Sequence, residues 1–218
     1  RGLSDRLWRN SLQLEALTRR MGAVERLAEI AACRLDELCA IVRWPSDVAV
    51  HFGNDDFMTV LESSLGLSPF YIRRSKSGRV NLLMSAMGTA YLAHLPAARC
   101  RTLIRATRSG ADMHNQSAIA AGDLLNRLTQ ARLLGYATRH HLYRGGQYNK
   151  SAQDVLASSI AVPILCKANV YGAVNINWNR RALSEEAMVA QYLQPLKNIA
   201  STIASEARDL SVFDQWPT

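Results

Sequence analysis

Two apolar runs near the C-terminus constrain this chain most. Leu156 to Leu165 and Val170 to Trp178 each alternate with the period of two that a strand requires, and only Cys166-Lys167-Ala168-Asn169 separates them. Strands joined so briefly pair antiparallel, because a parallel return needs a crossover of a dozen or more residues. Parity then sets Tyr171, Ala173, Asn175 and Asn177 on one face and Val170, Val174 and Ile176 on the other. On the partner strand Ser159, Ala161, Pro163 and Leu165 share a face, opposite Ile160, Val162 and Ile164. The branched aliphatic faces suit packing against helices. The other faces carry Ser159, Asn175 and Asn177 amid apolar neighbours. Three uncharged polar groups at strand centres make a pocket floor that hydrogen-bonds a small ligand, unless they meet only solvent or one another.

Helical periodicity brackets this hairpin. Leu3, Leu7, Leu14, Leu17 and Met21 form a stripe after a possible Ser4 cap, and Gly22 interrupts it weakly. A second helix is expected from Ala23 to Val42, with Val24, Leu27, Ala28, Ala31, Leu35, Leu38 and Ile41 as its apolar face. It stops before Trp44-Pro45. Leu7, Leu14 and Met21 form either a dimer seam or a face packed back on the same domain. Asp47 to Phe52 and Phe57 to Leu61 read as strands around Asn54-Asp55-Asp56, with shorter strands at Pro69 to Arg73 and Arg79 to Leu83. Helices follow at Ser85 to Leu95, from Pro96 to Thr107, and at Ser117 to Leu134, the last ending on Gly135. Tyr136 to Tyr143 reads as a strand before the polar loop Arg144 to Asp154. Ser184 caps a final helix whose stripe is Met188, Tyr192, Leu196, Ile199 and Ile203, with Pro195 expected to kink it. The expected class is α+β: an antiparallel sheet with helices packed on it, preceded by a long N-terminal helical linker.

Composition narrows the function. With 48% hydrophobic and 20% charged residues in 218, the chain builds a folded core of one large domain, or one domain plus an appendage. Its longest apolar runs fall far short of the ~20 residues of a membrane helix, so a cytoplasmic location with no membrane partner is expected. Cys33, Cys39, Cys100 and Cys166 form no C-x-x-C pair, and reduced thiols are expected. The formal charge of +8 is uneven: between Glu62 and Asp112 there is no carboxylate, while Arg73, Arg74, Lys76, Arg79, Arg99, Arg101, Arg105 and Arg108 lie there. Arg73, Arg74 and Arg79, beside apolar strand-like residues, are better candidates for an anionic ligand than the arginines of the following surface helix. No nucleophile elbow, P-loop, dinucleotide fingerprint or zincin motif occurs. His140 and His141, adjacent on an expected strand, would face opposite sides and not share a metal. Neither an enzyme nor a cofactor or metal is expected.

Three segments carry a family resemblance. Ser85-Ala86-Met87-Gly88-Thr89-Ala90-Tyr91-Leu92-Ala93-His94-Leu95-Pro96 resembles the IclR family of bacterial transcriptional regulators. So do Ala131-Arg132-Leu133-Leu134-Gly135-Tyr136-Ala137 and the pair Ile160 to Ile164 with Val170 to Ile176. The resemblance spans about Asp36 to Ala207. Arg43 to Asp47, Ser68-Pro69-Phe70 and Asn175 to Trp178 look like the subgroup of activators for 3-hydroxyphenylpropionate and related aromatic-acid catabolism.

The resemblance implies a winged helix-turn-helix, a linker helix and a GAF-like effector-binding domain. Residues 1–21 then correspond to the linker and 22–218 to the effector domain. The chain begins at Arg1, and Arg1 to Asp5 looks like the junction after the wing. The DNA-binding domain is therefore expected to be absent from this chain, with operator DNA bound only through it. A homodimer or homotetramer is implied. The effector, a small and expectedly aromatic carboxylate, would lie against Ser85, Ala86, Met87, the loop around Asn149, and Ser159, Asn175 and Asn177. Backbone amides of Ser85 to Met87, with Arg73, Arg74 or Arg79, would hold its carboxylate, and Phe70, Leu83, Met84 and Met87 would contact its ring. Relatives that bind small oxo-acids carry an acid near Asn149, Cys at Ser159 and Ser at the two Asn positions. The departures here imply a different effector and a pocket without a carboxylate. The alternative is an oligomerisation module with no effector.

Overall fold

Among the described residues strand alternation resolves into six antiparallel strands in the order β3-β2-β1-β6-β5-β4. The computed structural model describes residues 12–69, 78–108, 112–143 and 156–216. The strands are β1 (Ser46–Val50), β2 (Phe57–Ser63), β3 (Arg79–Asn81), β4 (Ala137–Thr138), β5 (Ala157–Cys166) and β6 (Asn169–Asn179). The predicted hairpin is β5–β6, the longest ladder in the sheet. The α+β expectation, an antiparallel sheet with helices packed on it, is met.

The two faces of the sheet are chemically unlike. One presents Val48, Val50, Ile160, Val162, Ile164, Val174, Ile176 and Trp178 to α1 (Leu12–Val42) and α6 (Glu185–Asp209). Trp178 is fully buried there, its indole N–H donating to the Leu183 carbonyl at 2.8 Å. The other face is lined by Ala49, Ala161 and Ala173. Such short side chains let a helix approach closely, and α2 (Ala86–His94) occupies that space with Ala86, Gly88, Ala90 and Ala93. Every residue from Ala86 to Ala93 is buried, as suits a central helix apolar all round.

Several expectations are corrected. Gly22 does not break the first helix: α1 runs unbroken, because one glycine costs a helix only about 1 kcal/mol against a long packed face. The buried stripe of α1 is Ala23, Leu27, Ile30, Ala31, Leu35, Leu38 and Val42, whereas Ile41 and Met21 are each 56% exposed. Leu3, Leu7 and the side chains of Leu14 and Leu17 lie outside the described residues, as does the expected strand Pro69 to Arg73. Ser117 to Leu134 divides into α4 (Met113–Ala120) and α5 (Leu124–Leu134), because Gly122 turns the chain at φ +71°. Gly135 caps α5 in the left-handed conformation, as read from sequence. Pro96 precedes α3 (Ala97–Arg108) rather than opening it, and its carbonyl accepts the Cys100 N–H.

Parity along β6 also fails at one point. Ile164 pairs with Gly172 and Leu165 with Val170, so Tyr171 is an extra residue in a bulge. Its ring goes to the α1/α6 side, stacked 3.8 Å from Phe213, while Val170 joins the α2 side. Beside the bulge the strands run close, and a Cβ on Gly172 would lie 2.5 Å from the Ala49 carbonyl oxygen.

Candidate functional site

The entry to α2 is built around one asparagine. Asn81 is 1% exposed, and its carboxamide oxygen accepts the backbone N–H groups of Met84 at 2.8 Å and Leu83 at 3.1 Å. Its amide donates to Asp112 Oδ1 and Asn115 Oδ1, both at 2.8 Å. The Tyr143 hydroxyl accepts the Asn81 backbone N–H at 3.3 Å, and burial pushes that phenol's pKa up. This knot holds the turn 82–84, which folds so tightly over α2 that a Cβ on Gly88 would lie 2.0 Å from the Leu82 carbonyl oxygen. Only glycine fits there.

Ser85 then caps α2, its hydroxyl accepting the Gly88 N–H at 2.9 Å. The first-turn amides of Ala86 and Met87 have no helical carbonyl to bond and form the positive end of the helix dipole. Behind the turn, Arg127 on α5 donates to the Leu83 carbonyl at 2.9 Å and the Thr89 hydroxyl at 2.8 Å. Burial lowers the pKa of Arg127, and nearby Asp123 opposes that shift. The buried His140 ring is 3.2 Å from Asp123 Oδ2, and the His140 N–H donates to the Met84 carbonyl. Because that backbone bond leaves the sheet, β4 stops after Thr138 and the chain turns. His140 and His141 therefore do not face opposite sides: their rings lie 4.4 Å apart in the turn. Among the described residues, no three His, Cys, Asp or Glu side chains group to hold a metal ion.

The sheet floor is tied to this helix end through consecutive residues: the Arg139 N–H donates to the Ser159 carbonyl and the His140 N–H to the Met84 carbonyl, each at 3.0 Å. Ser159 pairs with Asn177 across β5–β6, and Asn175 pairs with Ala161 on one side and Asp47 on the other. These residues share the face that carries Ala161 and Ala173, so parity placed Ser159, Asn175 and Asn177 together correctly. The two carboxamides bond each other, Asn175 Nδ2 to Asn177 Oδ1 at 3.2 Å, and Asn177 Nδ2 donates to Asp47 Oδ2 at 2.9 Å. Asn175 Oδ1 accepts the Asp47 backbone N–H at 2.8 Å. The Ser159 hydroxyl is buried without a hydrogen-bond partner among the described residues.

Asp47 corrects the expectation of a floor without a carboxylate. It is 8% exposed and enters from β1, a strand whose pairing with β6 joins residues 128 positions apart. The structure brings together Met84, Ser85, Ala86 and Met87 at the helix entry and Ser159, Asn175 and Asn177 on the floor. Phe70, Arg73, Arg74 and Asn149 lie outside the described residues. Arg79 is otherwise engaged, pairing with Asp55 and lying over the Phe57 ring at 4.5 Å.

The architecture matches a known regulatory domain. The family model of the bacterial transcriptional regulator IclR C-terminal domain matches residues 25–205, and the chain belongs to that family. It is an effector-binding domain of a transcriptional regulator rather than an enzyme. A transcriptional regulator from Rhodococcus sp. RHA1 is similar at 17% identity and TM-score 0.65, over 92% of this chain and 77% of that one. An IclR homolog from Microbacterium hydrocarbonoxydans complexed with 4-hydroxybenzoate superposes at TM-score 0.62, with 20% identity over 92% of this chain and 76% of that one. The inducer-binding domain of a double mutant of PobR from Acinetobacter, in complex with 3-hydroxybenzoic acid, gives 0.59 with 18% identity, over 81% and 96%. At these identities the likeness establishes the fold.

Proposed function

We propose that the space between the α2 entry and the polar floor of β5 and β6 binds a small hydroxylated aromatic carboxylate. The unpartnered, buried Ser159 hydroxyl beside the Asn175–Asn177 pair carries this reading, because a buried hydroxyl left unbonded costs about 1–3 kcal/mol that a ligand group can recover. Polarity orients the ligand. Asp47 on the floor disfavours a second carboxylate there, so the ligand carboxylate belongs at the Ala86 and Met87 amides. A ring hydroxyl then reaches Ser159, Asn177 or Asp47, and Met84 and Met87 flank the ring. Phe70, Arg73, Arg74 and Asn149 complete the wall in this reading. That two similar folds are described in complex with hydroxybenzoates supports the chemical class.

Binding would modulate operator affinity through a DNA-binding domain N-terminal to the linker, residues 1–21, in a homodimer or homotetramer of the full-length regulator. It does so to the extent that the ligand prefers one arrangement of the linker helices over another. Thermal unfolding against phenylpropionates, hydroxybenzoates, shikimate, pyruvate and glyoxylate tests the reading. A ligand at 100 times its Kd stabilises by about 2.7 kcal/mol. A selective shift with hydroxylated aromatic acids is expected. A shift with pyruvate or glyoxylate alone overturns the aromatic reading, and silence across the panel favours an oligomerisation module.

A further inference from the structure

A second cleft, of about 720 Å³, opens at the far end of the same strands, where β5 turns into β6. Its walls come from the loop after β1 (His51, Asn54), from α2 and α3 (Tyr91, Arg99), from the hairpin turn (Asn169 to Tyr171) and from the C-terminal segment (Phe213, Asp214 and Trp216). Three observations point to a ligand. Tyr91 is 8% exposed, and its hydroxyl bonds no other described residue and keeps its access to solvent, so it is available to donate into the cleft. Its ring sits 5.4 Å from that of His51, which anchors it from the side. Among the described residues Arg99 is held by neutral oxygens, donating to the Gly53 carbonyl at 2.6 Å and Asn54 Oδ1 at 3.1 Å, and these contacts do not neutralise its charge. The opposite wall is aromatic, with Tyr171 stacked on Phe213 and Trp216 edge-on to Tyr171 at 5.9 Å.

We propose that this cleft is a second small-molecule site, for an arylcarboxylate with a distal hydrogen-bond donor. The carboxylate accepts from the Arg99 guanidinium and the Tyr91 hydroxyl, a charge-assisted pair. The ring lies against Tyr171 and Trp216. Asp214, the acid on the cleft's rim, excludes a second anionic group at that end and accepts from a ring hydroxyl. The site is mechanically joined to the first. Tyr91 lies one helical turn beyond Met87 on α2, about 6 Å along the axis. Phe213 belongs to a short turn, Val212–Gln215, that packs on α1 and α6. A ligand spanning Tyr91 and Phe213 thus bears on both α2 and α1, and any coupling between the two sites is reciprocal.

Isothermal titration of the 218-residue chain with 4-hydroxybenzoate and 3-hydroxybenzoate tests this. Arg99→Gln and Tyr91→Phe, both mild surface-of-cleft changes, are expected to weaken one binding event at least tenfold and leave the other intact. Asn175→Leu should do the converse. If the Asn175 variant changes nothing while Arg99→Gln removes the binding that exists, this site stands and the first reading falls. Unchanged titrations in both cleft variants, or no binding of either probe to the parent chain, overturn the proposal. So does a change of sedimenting mass in Arg99→Gln without a change in ligand affinity, which would make the cleft a contact between copies of the chain.

Discussion

Asp47 and Asn175 stand opposite each other in the β1–β6 ladder, and the Asn175 carboxamide oxygen accepts the Asp47 backbone N–H at 2.8 Å. The residue proposed to read the ligand therefore also satisfies a buried main-chain donor. Asn175→Leu should cost about 1–3 kcal/mol, because the buried Asp47 N–H loses its Asn175 acceptor. For a chain of this size that lowers Tm by about 2–4 °C per kcal/mol. Asn177→Ala spares that bond but removes the donor to the Asp47 carboxylate and should cost about 1.5–3 kcal/mol, while weakening ligand binding comparably. Urea titrations of both variants give the comparison, and an Asn175→Leu variant as stable as the parent would contradict the dual role of Asn175.

Two glycines on helices should respond in opposite directions to the same substitution. Nothing lies within 4 Å of a Cβ built on Gly22 in α1, and its backbone is helical. Gly22→Ala should stabilise by about 0.4–1 kcal/mol by restricting the unfolded chain. On α2 a Cβ at Gly88 meets the Leu82 carbonyl, carbon and Cα, all within 2.8 Å, and backbone cannot yield as a side-chain tip can. Gly88→Ala should cost several kcal/mol and displace the turn that carries Met84. Differential scanning calorimetry of the pair decides it.

These sites differ in how far sequence exposes them. Ser159, Asn175 and Asn177 were legible because a two-residue period is local: within an unbroken strand, position alone fixes the face. Tyr171 and Val170 lie on the faces opposite to those the alternation predicts because a bulge opposite Ile164 and Leu165 shifts the register, which no local period records. Asp47 escaped notice for a related reason. Its alternation in β1 was visible, but which strand β1 would join was not. His140 and His141 read as strand residues by composition, yet the carbonyl of Met84 takes the His140 N–H and turns the chain out of the sheet. The Asn81 knot left no periodic signal at all, since its partners arrive from Asp112, Asn115 and Tyr143.

Arg127 is placed to hold the α2 entry. Its guanidinium bridges the Leu83 carbonyl and the Thr89 hydroxyl across the turn. Arg127→Met removes both bonds and should destabilise by about 2–3 kcal/mol, hydrogen bonds to charged groups being the stronger kind. Arg127→Lys keeps the charge but not the fork, and should recover part of the loss. Hydrogen exchange localises the effect: protection should fall first in residues 82–90. A uniform fall across the chain would instead indicate a purely global role.

Three histidines should make the domain less stable in mild acid. Burial is the main cause that lowers the pKa of His51, His94 and His140, with Arg99, Arg132 and Arg127 respectively adding repulsion. Asp55 opposes the shift at His51, and Asp123 opposes it at His140. A histidine with a lowered folded-state pKa binds its proton more readily when unfolded. Stability is then full above the unfolded value of about 6.5 and declines as pH falls below it, until the folded groups titrate too. Raised carboxylates at Asp56 and Glu185 act in the opposite sense, but from their ordinary range upward, and so bear most on more acidic conditions. Urea midpoints measured from pH 8 to pH 5.5 should fall across the histidine window. His94→Gln should flatten part of that slope, since the His94 ring bonds the Ala90 carbonyl and no other group among the described residues. A midpoint that rises between pH 7 and pH 5.5 would show that these rings are protonated in the folded chain.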